Sequence, residues 1–151
     1  MPFTVKQADI QDLDAIAILF NEYRMFYKQE SDLKGARSFL FDRFEHMESI
    51  IFAARDNESD ALIGFTQLYP SFSSVSMKRS LILNDLYVRE SFRNQGAAAL
   101  LLDAAKSYAL QIGAKGIGLA TAIDNASAQR LYEKNGYTRV LDFYQYSMAL
   151  R

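Results

Sequence analysis

Residues 80–98 read SLILNDLYVRESFRNQGAA. The first half, residues 80–88 (SLILNDLYV), is expected to be a strand that is largely apolar on both faces and therefore central in a sheet. The link Arg89-Glu90-Ser91-Phe92 leads into Arg93-Asn94-Gln95-Gly96-Ala97-Ala98, which opens a helix over residues 96–112. Leu100, Leu101, Ala104, Ala105, Tyr108 and Ile112 form its apolar stripe, and Gly113 suits the position just past its end. A strand-to-helix turn of Gly and small residues leaves several backbone N–H groups unpaired. Together with the positive helix end, those donors can bind an anion. Gly96 has no Cβ and Ala97 and Ala98 have small ones, so a diphosphate could approach the backbone. Arg93 could add a charge-assisted bond. Neither GxxxxGK[ST] nor GxGxxG is present. Taken alone, the same pattern also suits an Ala-rich helix packed closely on a sheet.

Upstream, residues 3–7 alternate like a short strand. Asp9 can cap a helix, with Asp12 three residues on as the capping-box acid, and Ile10, Leu13, Ile16, Ala17, Phe20 and Tyr23 recur at helical spacing. A second helix is expected over 36–46 and strands over 49–55 and 61–69, joined by the turn 56–60. Residues 71–80 (SFSSVSMKRS) read as a polar hairpin tip. Downstream, residues 116–121 (GIGLAT) read as a buried strand, 125–135 as a helix ended by Gly136, and 137–140 and 143–150 as closing strands. Antiparallel strands come first and one βαβ unit follows, so an α/β fold with a mixed sheet is expected.

Composition narrows the function. The chain has 151 residues, the size of one domain, and no internal linker or repeat divides it. Lys plus Arg is 17 and Asp plus Glu is 18, a net charge of −1 with no basic field for nucleic acid. The absence of Cys excludes disulfides, thiolate zinc sites and a Cys nucleophile. The single His, His46, argues against multi-His metal centres and His-based triads, and reads as a surface helix residue. No signal pattern and no membrane-length apolar run is present, so a cytoplasmic protein is the simplest reading.

The second helix carries a further pattern, Asn125-Ala126-Ser127-Ala128-Gln129-Arg130-Leu131-Tyr132-Glu133-Lys134-Asn135-Gly136-Tyr137. Asn125 and Tyr132 are about two turns apart and share a face. Read as plain structure, they are a helix cap and a core tyrosine. Here a resemblance enters. Arg93-x-x-Gly96-x-Ala98 resembles the Q/R-x-x-G-x-G/A acyl-CoA motif of the GNAT superfamily of N-acetyltransferases. Asn125-x-x-Ala128-x-x-Leu131-Tyr132-Glu133-Lys134-x-Gly136-Tyr137 is similar to its second block, and Asn84-Asp85-Leu86-Tyr87-Val88 to the central strand of its small histone, polyamine and diamine branch. The clear likeness covers about residues 80–140.

The resemblance implies a single GNAT domain over residues 1–151, with a six- to seven-stranded mixed sheet and about four helices. It implies that the strand ending Leu86-Tyr87-Val88 and the strand 116–121 splay apart, leaving backbone groups that the pantetheine arm of acetyl-CoA fills like an added strand. Leu86, Tyr87 and Val88 would contact that arm, Arg93, Asn94, Gln95, Gly96, Ala97, Ala98 and Ala99 would cradle the diphosphate, and Asn125 would meet the pantetheine side. No metal is implied.

The implied reaction is attack of a primary amine on the acetyl thioester. A Lys-like amine has a pKa near 10.4, so at pH 7 roughly one molecule in a few thousand is neutral, equivalent to about 4–5 kcal/mol. Asp85 is the candidate proton acceptor, and Tyr132 the implied proton donor to the CoA sulfur. Asn84 stands where relatives often carry Glu, and Asn cannot act as a base. Asn84 and Asp85 should face opposite ways unless a bulge intervenes. Tyr23, Phe26 and Tyr27 are candidates to line the acceptor pocket and hold a cationic amine against their rings. A small-molecule amine such as a polyamine or amino acid is the expected acceptor. Protein lysine is an alternative, and a non-catalytic CoA-binding regulatory module a second one. The aromatic, strand-like residues 143–150 (FYQYSMAL) suggest an edge that pairs two chains into a homodimer.

Overall fold

The computed structural model describes residues 2–150. They group into two compact units, one ending at Ala120 and one beginning at Thr121. The first unit is built on a five-stranded mixed sheet in the order β1 (Phe3–Gln7), β2 (Ile50–Asp56), β3 (Leu62–Ser73), β4 (Lys78–Val88) and β5 (Ile117–Gly118). The first three pairings are antiparallel, and β4 and β5 are parallel neighbours joined through α3 (Ala97–Gln111), the expected βαβ unit.

Helices α1 (Leu13–Phe26) and α2 (Leu33–Glu45) pack on one face of this sheet. The start of α1 is set as its sequence suggests. Asp9 accepts from Gln11 N–H, and Asp12 accepts from Asp9 N–H, before a short 3-10 turn runs into the helix. Ile16, Leu19, Phe20 and Leu40 meet Ile51, Ala53 and Phe65 in one core cluster. Successive strand residues point to opposite faces. Phe52, between Ile51 and Ala53, accordingly turns to the other side, where its ring meets Tyr108 of α3 at 6.0 Å. The sheet is thus covered on both sides.

Four expectations need correction. The hairpin tip is shorter than residues 71–80: the ladder continues through Phe72↔Arg79 and Ser73↔Lys78, and only residues 74–77 turn. Strand β4 is not apolar on both faces. Leu81 and Leu83 are buried while Ile82 is 43% exposed, because only one face of its first half is covered. The strand 116–121 reduces to Ile117–Gly118, with Ile117 half-buried and Gly118 exposed. Residues 137–140 and 143–150 form no strand among the described residues, so the sheet has five strands rather than six or seven. A strand exists only with a ladder partner, and apolar alternation cannot supply one.

The second unit holds α4 (Ala126–Lys134). Asn125 caps it, accepting from Ala128 N–H at 3.1 Å, and Gly136 leaves it in a left-handed conformation at φ 97°. Phe143, Tyr144, Tyr146, Met148 and Leu150 beyond it are highly exposed.

Candidate active site

The site in the first unit begins with a break in a ladder. β4 pairs with β5 only at Leu81↔Ile117 and Ile82↔Gly118. From Leu83 to Val88 no other strand of the unit pairs with that edge. On the other edge, Arg89 N–H donates to Ile63 C=O at 2.9 Å. Antiparallel hydrogen bonding alternates, and the register Gly64↔Val88, Phe65↔Tyr87, Thr66↔Leu86 therefore turns the peptide groups of Leu86 and Val88 away from β3. Tyr87 differs from the expectation: its peptide faces β3, and its hydroxyl donates to Glu22 at 3.1 Å. Burial and the Glu22 carboxylate both raise the Tyr87 pKa. Glu22 also holds Arg89 in an ion pair at 2.7 Å. That buttress between α1 and the end of β4 had no local signature.

The turn after β4 carries Asn94 at φ 62° and Gly96 at φ 90°. Gly96 is the residue at the head of α3, and no side chain caps that helix. The first N–H groups, on Ala97, Ala98 and Ala99, thus lack the usual side-chain acceptor. A Cβ built on Gly96 would meet nothing within 4 Å, so the space beside Gly96 is open. An uncapped helix start beside open space fits a diphosphate in charge and in shape. Gln95 lies beside it, its amide donating to Ser91 C=O at 3.3 Å. Arg93 folds back. Its Nε donates to Val88 C=O at 2.7 Å, and its guanidinium lies 5.4 Å from the Phe26 ring centroid and 5.7 Å from that of Tyr87.

Alongside the open edge lies a cavity of about 560 Å³. Phe20, Tyr23 and Arg24 of α1, with its C-cap Tyr27, form one wall, Gln29, Asp32, Gly35, Ala36 and Phe39 a second, and Tyr69, Asn84 and Asp85 come from the sheet. The sequence candidates Tyr23 and Tyr27 are therefore wall residues. Phe26 is not; its ring packs on Tyr27 at 5.3 Å.

A bulge brings the strand residues to the cavity. Gln67 faces Asp85 while the next residue, Leu68, faces Leu83, so Asn84 is the extra residue on β4. Asn84 and Asp85 thereby reach the same cavity, and Asn84 donates to Asp85 Oδ1 at 3.2 Å. Asp85 is 3% exposed. Gln67 Nε2 donates to its Oδ2 at 2.5 Å. Burial raises the Asp85 pKa, against the lowering effect of hydrogen bonds from Gln67, Tyr23 and Asn84. Tyr69 is pushed up to about 12 by burial and by the Asp85 charge, so it stays a neutral phenol. Gln67 was legible only as a polar residue inside the apolar run LIGFTQLY; a buried amide needs a partner, and here the partner is the carboxylate.

In the second unit, Asn125 is the N-cap of α4 and Tyr132 lies within that helix, seven residues on. The Tyr132 ring stands edge-on to Tyr137, with centroids 5.8 Å apart. The Tyr137 hydroxyl is buried without a hydrogen-bond partner, and burial raises its pKa. Among the described residues, no cluster of three His, Cys, Asp or Glu side chains could hold a metal ion, and no helix is long and apolar enough to cross a membrane.

This architecture has known relatives. The chain is 53% identical over 144 residues to an uncharacterized N-acetyltransferase, YhfO, of Bacillus subtilis (strain 168), covering 95% of each chain. It is 30% identical over 135 residues to a D-amino-acid N-acetyltransferase of Saccharomyces cerevisiae, covering 88% of this chain and 83% of the relative. The crystal structure of a probable acetyltransferase, 42% identical, superimposes with a TM-score of 0.94 over 98% of both chains. Residues 14–137 match the acetyltransferase (GNAT) family as a whole. The chain belongs to that family and is an N-acetyltransferase.

Proposed function

We propose that this enzyme transfers the acetyl group of acetyl-CoA to a primary amine of a small molecule, by direct attack in a ternary complex. The observation that carries the reading is a juxtaposition. The open edge of β4, the uncapped start of α3 and the cavity with Asp85 in its wall all meet along one strand. The uncapped N–H groups of Ala97, Ala98 and Ala99 hold the diphosphate, and the outward peptides of Leu86 and Val88 hold the pantetheine arm. The bound acetyl-CoA supplies an activated acetyl thioester. The amine nitrogen bonds to the acetyl carbon, its proton passes to Asp85 directly or through water, and the carbon–sulfur bond breaks. The departing sulfur takes a proton from Tyr132. Its reference pKa, around 8.5, makes it a fair leaving group even without that help. Asp85 suits its part because burial raises its pKa toward working pH, where a carboxylate is a better proton acceptor.

A cavity of about 560 Å³ is of the size that encloses small ligands. That size, and a relative named for D-amino acids, favour a small acceptor over a protein lysine. The reading takes residues 1–151 as one catalytic domain acting in the cytoplasm, and as a homodimer supported by the exposed apolar residues 143–150. The test is CoA thiol release across a library of amines, with acetyl-CoA present. Turnover of small amines supports the reading; acetylation confined to protein lysines overturns it.

A further inference from the structure

Four arginines of the first unit sit against carboxylates: Arg37 on Asp14, Arg43 on Glu48, Arg55 on Asp60 and Arg89 on Glu22. Arg24 does not. It lies on the cavity wall, half-buried, and its guanidinium has no ion pair or hydrogen bond among the described residues. Its position follows from helix periodicity. Phe20, Tyr23, Arg24 and Tyr27 are spaced three, one and three apart, so one face of α1 and its C-cap presents three rings and one cation.

The carboxylates that share the cavity are committed elsewhere. Asp32 Oδ1 accepts from Gly35 N–H at 2.9 Å, capping α2, and Asp32 N–H is itself held by Asn21 at 2.8 Å. Asp85 is engaged by Gln67, Asn84 and Tyr23. Neither is within ion-pair distance of Arg24. A guanidinium drawn partly out of water is stabilised by an anion, and its planar fork matches a carboxylate.

We infer that the acceptor is an aminocarboxylate, whose carboxylate binds Arg24 while its amine lies toward Asp85. This rests on the acetyl-transfer reading above and narrows its acceptor. A diamine would set its second cation against Arg24. An amino acid instead meets a positive wall on one side, and on the other a carboxylate flanked by the rings of Tyr23 and Tyr69, which favour an ammonium. Asn84 fits the same scheme, since it leaves Asp85 as the one carboxylate the bulge turns into the cavity.

The experiment compares matched pairs: α-amino acids and ω-amino acids of several lengths, each against the amine lacking the carboxylate. CoA thiol release gives kcat and KM for each, in wild type, Arg24→Met and Arg24→Lys, with acetyl-CoA binding followed by thermal shift. A charge-assisted hydrogen-bonded contact corresponds to a preference of roughly 10- to 100-fold in kcat/KM for the carboxylate-bearing partner. Arg24→Met collapses that ratio toward one, chiefly through KM, and Arg24→Lys restores part of it. Equal or better turnover of the plain amines by wild type overturns the inference, as does a ratio that Arg24→Met leaves unaltered. If no aminocarboxylate is acetylated while acetyl-CoA still stabilises the protein, the inference falls and the acetyl-transfer reading stands. If acetyl-CoA itself fails to bind, both fall.

Discussion

Asp85→Asn should make this enzyme slower and more stable at once. The variant keeps the shape of the side chain and removes its charge. In the wild type, Gln67 spends its amide N–H₂ on Asp85 Oδ2, and its own Oε1 is buried with no partner. Once the carboxylate is replaced by an amide, the introduced oxygen still accepts from Gln67 Nε2, and Gln67 keeps its orientation. The introduced N–H₂ then faces Asn84, whose amide turns over to accept from it, so the contacts are kept and what is lost is a charge held out of water. At this chain length each kcal/mol of that burial cost relieved moves Tm by about 2–4 °C. A higher Tm at pH 7 is therefore expected. The sign of the pH dependence agrees. Burial raises the Asp85 pKa in the fold, so the folded state binds the proton more tightly than the unfolded chain. Wild-type stability is greatest below the ordinary value of 3.8 and falls as pH rises from there through the raised one. The amide variant lacks that loss. Turnover should drop by about 10²–10⁴-fold at neutral pH, with part recovered at high pH as free amine becomes abundant. Calorimetry between pH 3 and 8, beside a pH–rate profile, reads both effects. A variant less stable at pH 7 would refute the account of Gln67 and Asp85, and unchanged turnover would remove Asp85 from proton transfer.

Gly96→Asp should abolish the thermal stabilisation by acetyl-CoA, which in wild type at 100 times Kd is about 2.7 kcal/mol; an Asp variant that still responds would displace the diphosphate from this turn. Tyr132→Phe should fold and bind CoA while turnover falls by up to ~10²-fold, the low end for a general acid; single-turnover rates equal to wild type would leave Tyr132 a packing residue. Gly64→Ala should destabilise by about 1–3 kcal/mol, because the added Cβ would lie 2.8 Å from Tyr87 C=O; a Tm within error of wild type would contradict that packing. Small-angle scattering should report a dimer, and Tyr144→Glu with Tyr146→Glu should shift it toward monomer; a monomeric mass for wild type at high concentration would exclude the pairing.

Local chemistry was legible in the chain. The capping box Asp9–Asp12, the Asn125 cap, the left-handed exits at Gly113 and Gly136 and the uncapped start of α3 depend on neighbours within a few residues, and each forms where its residues predict. The two motifs pointing to GNAT chemistry lie in such local elements, so the family could be read from them. What the tertiary structure decided depends on distant partners. Whether residues 143–150 form a strand depends on an edge to pair with, not on their own alternation. Whether Asn84 and Asp85 share a face depends on a bulge, set by how β3 and β4 come into register across the hairpin. The cavity depends on α1 meeting the sheet, which places Arg24 and Asp85, 61 residues apart in sequence, around one space. Period and capping act over one or two helical turns, whereas register and burial are set by contacts between segments whose separation no local pattern records.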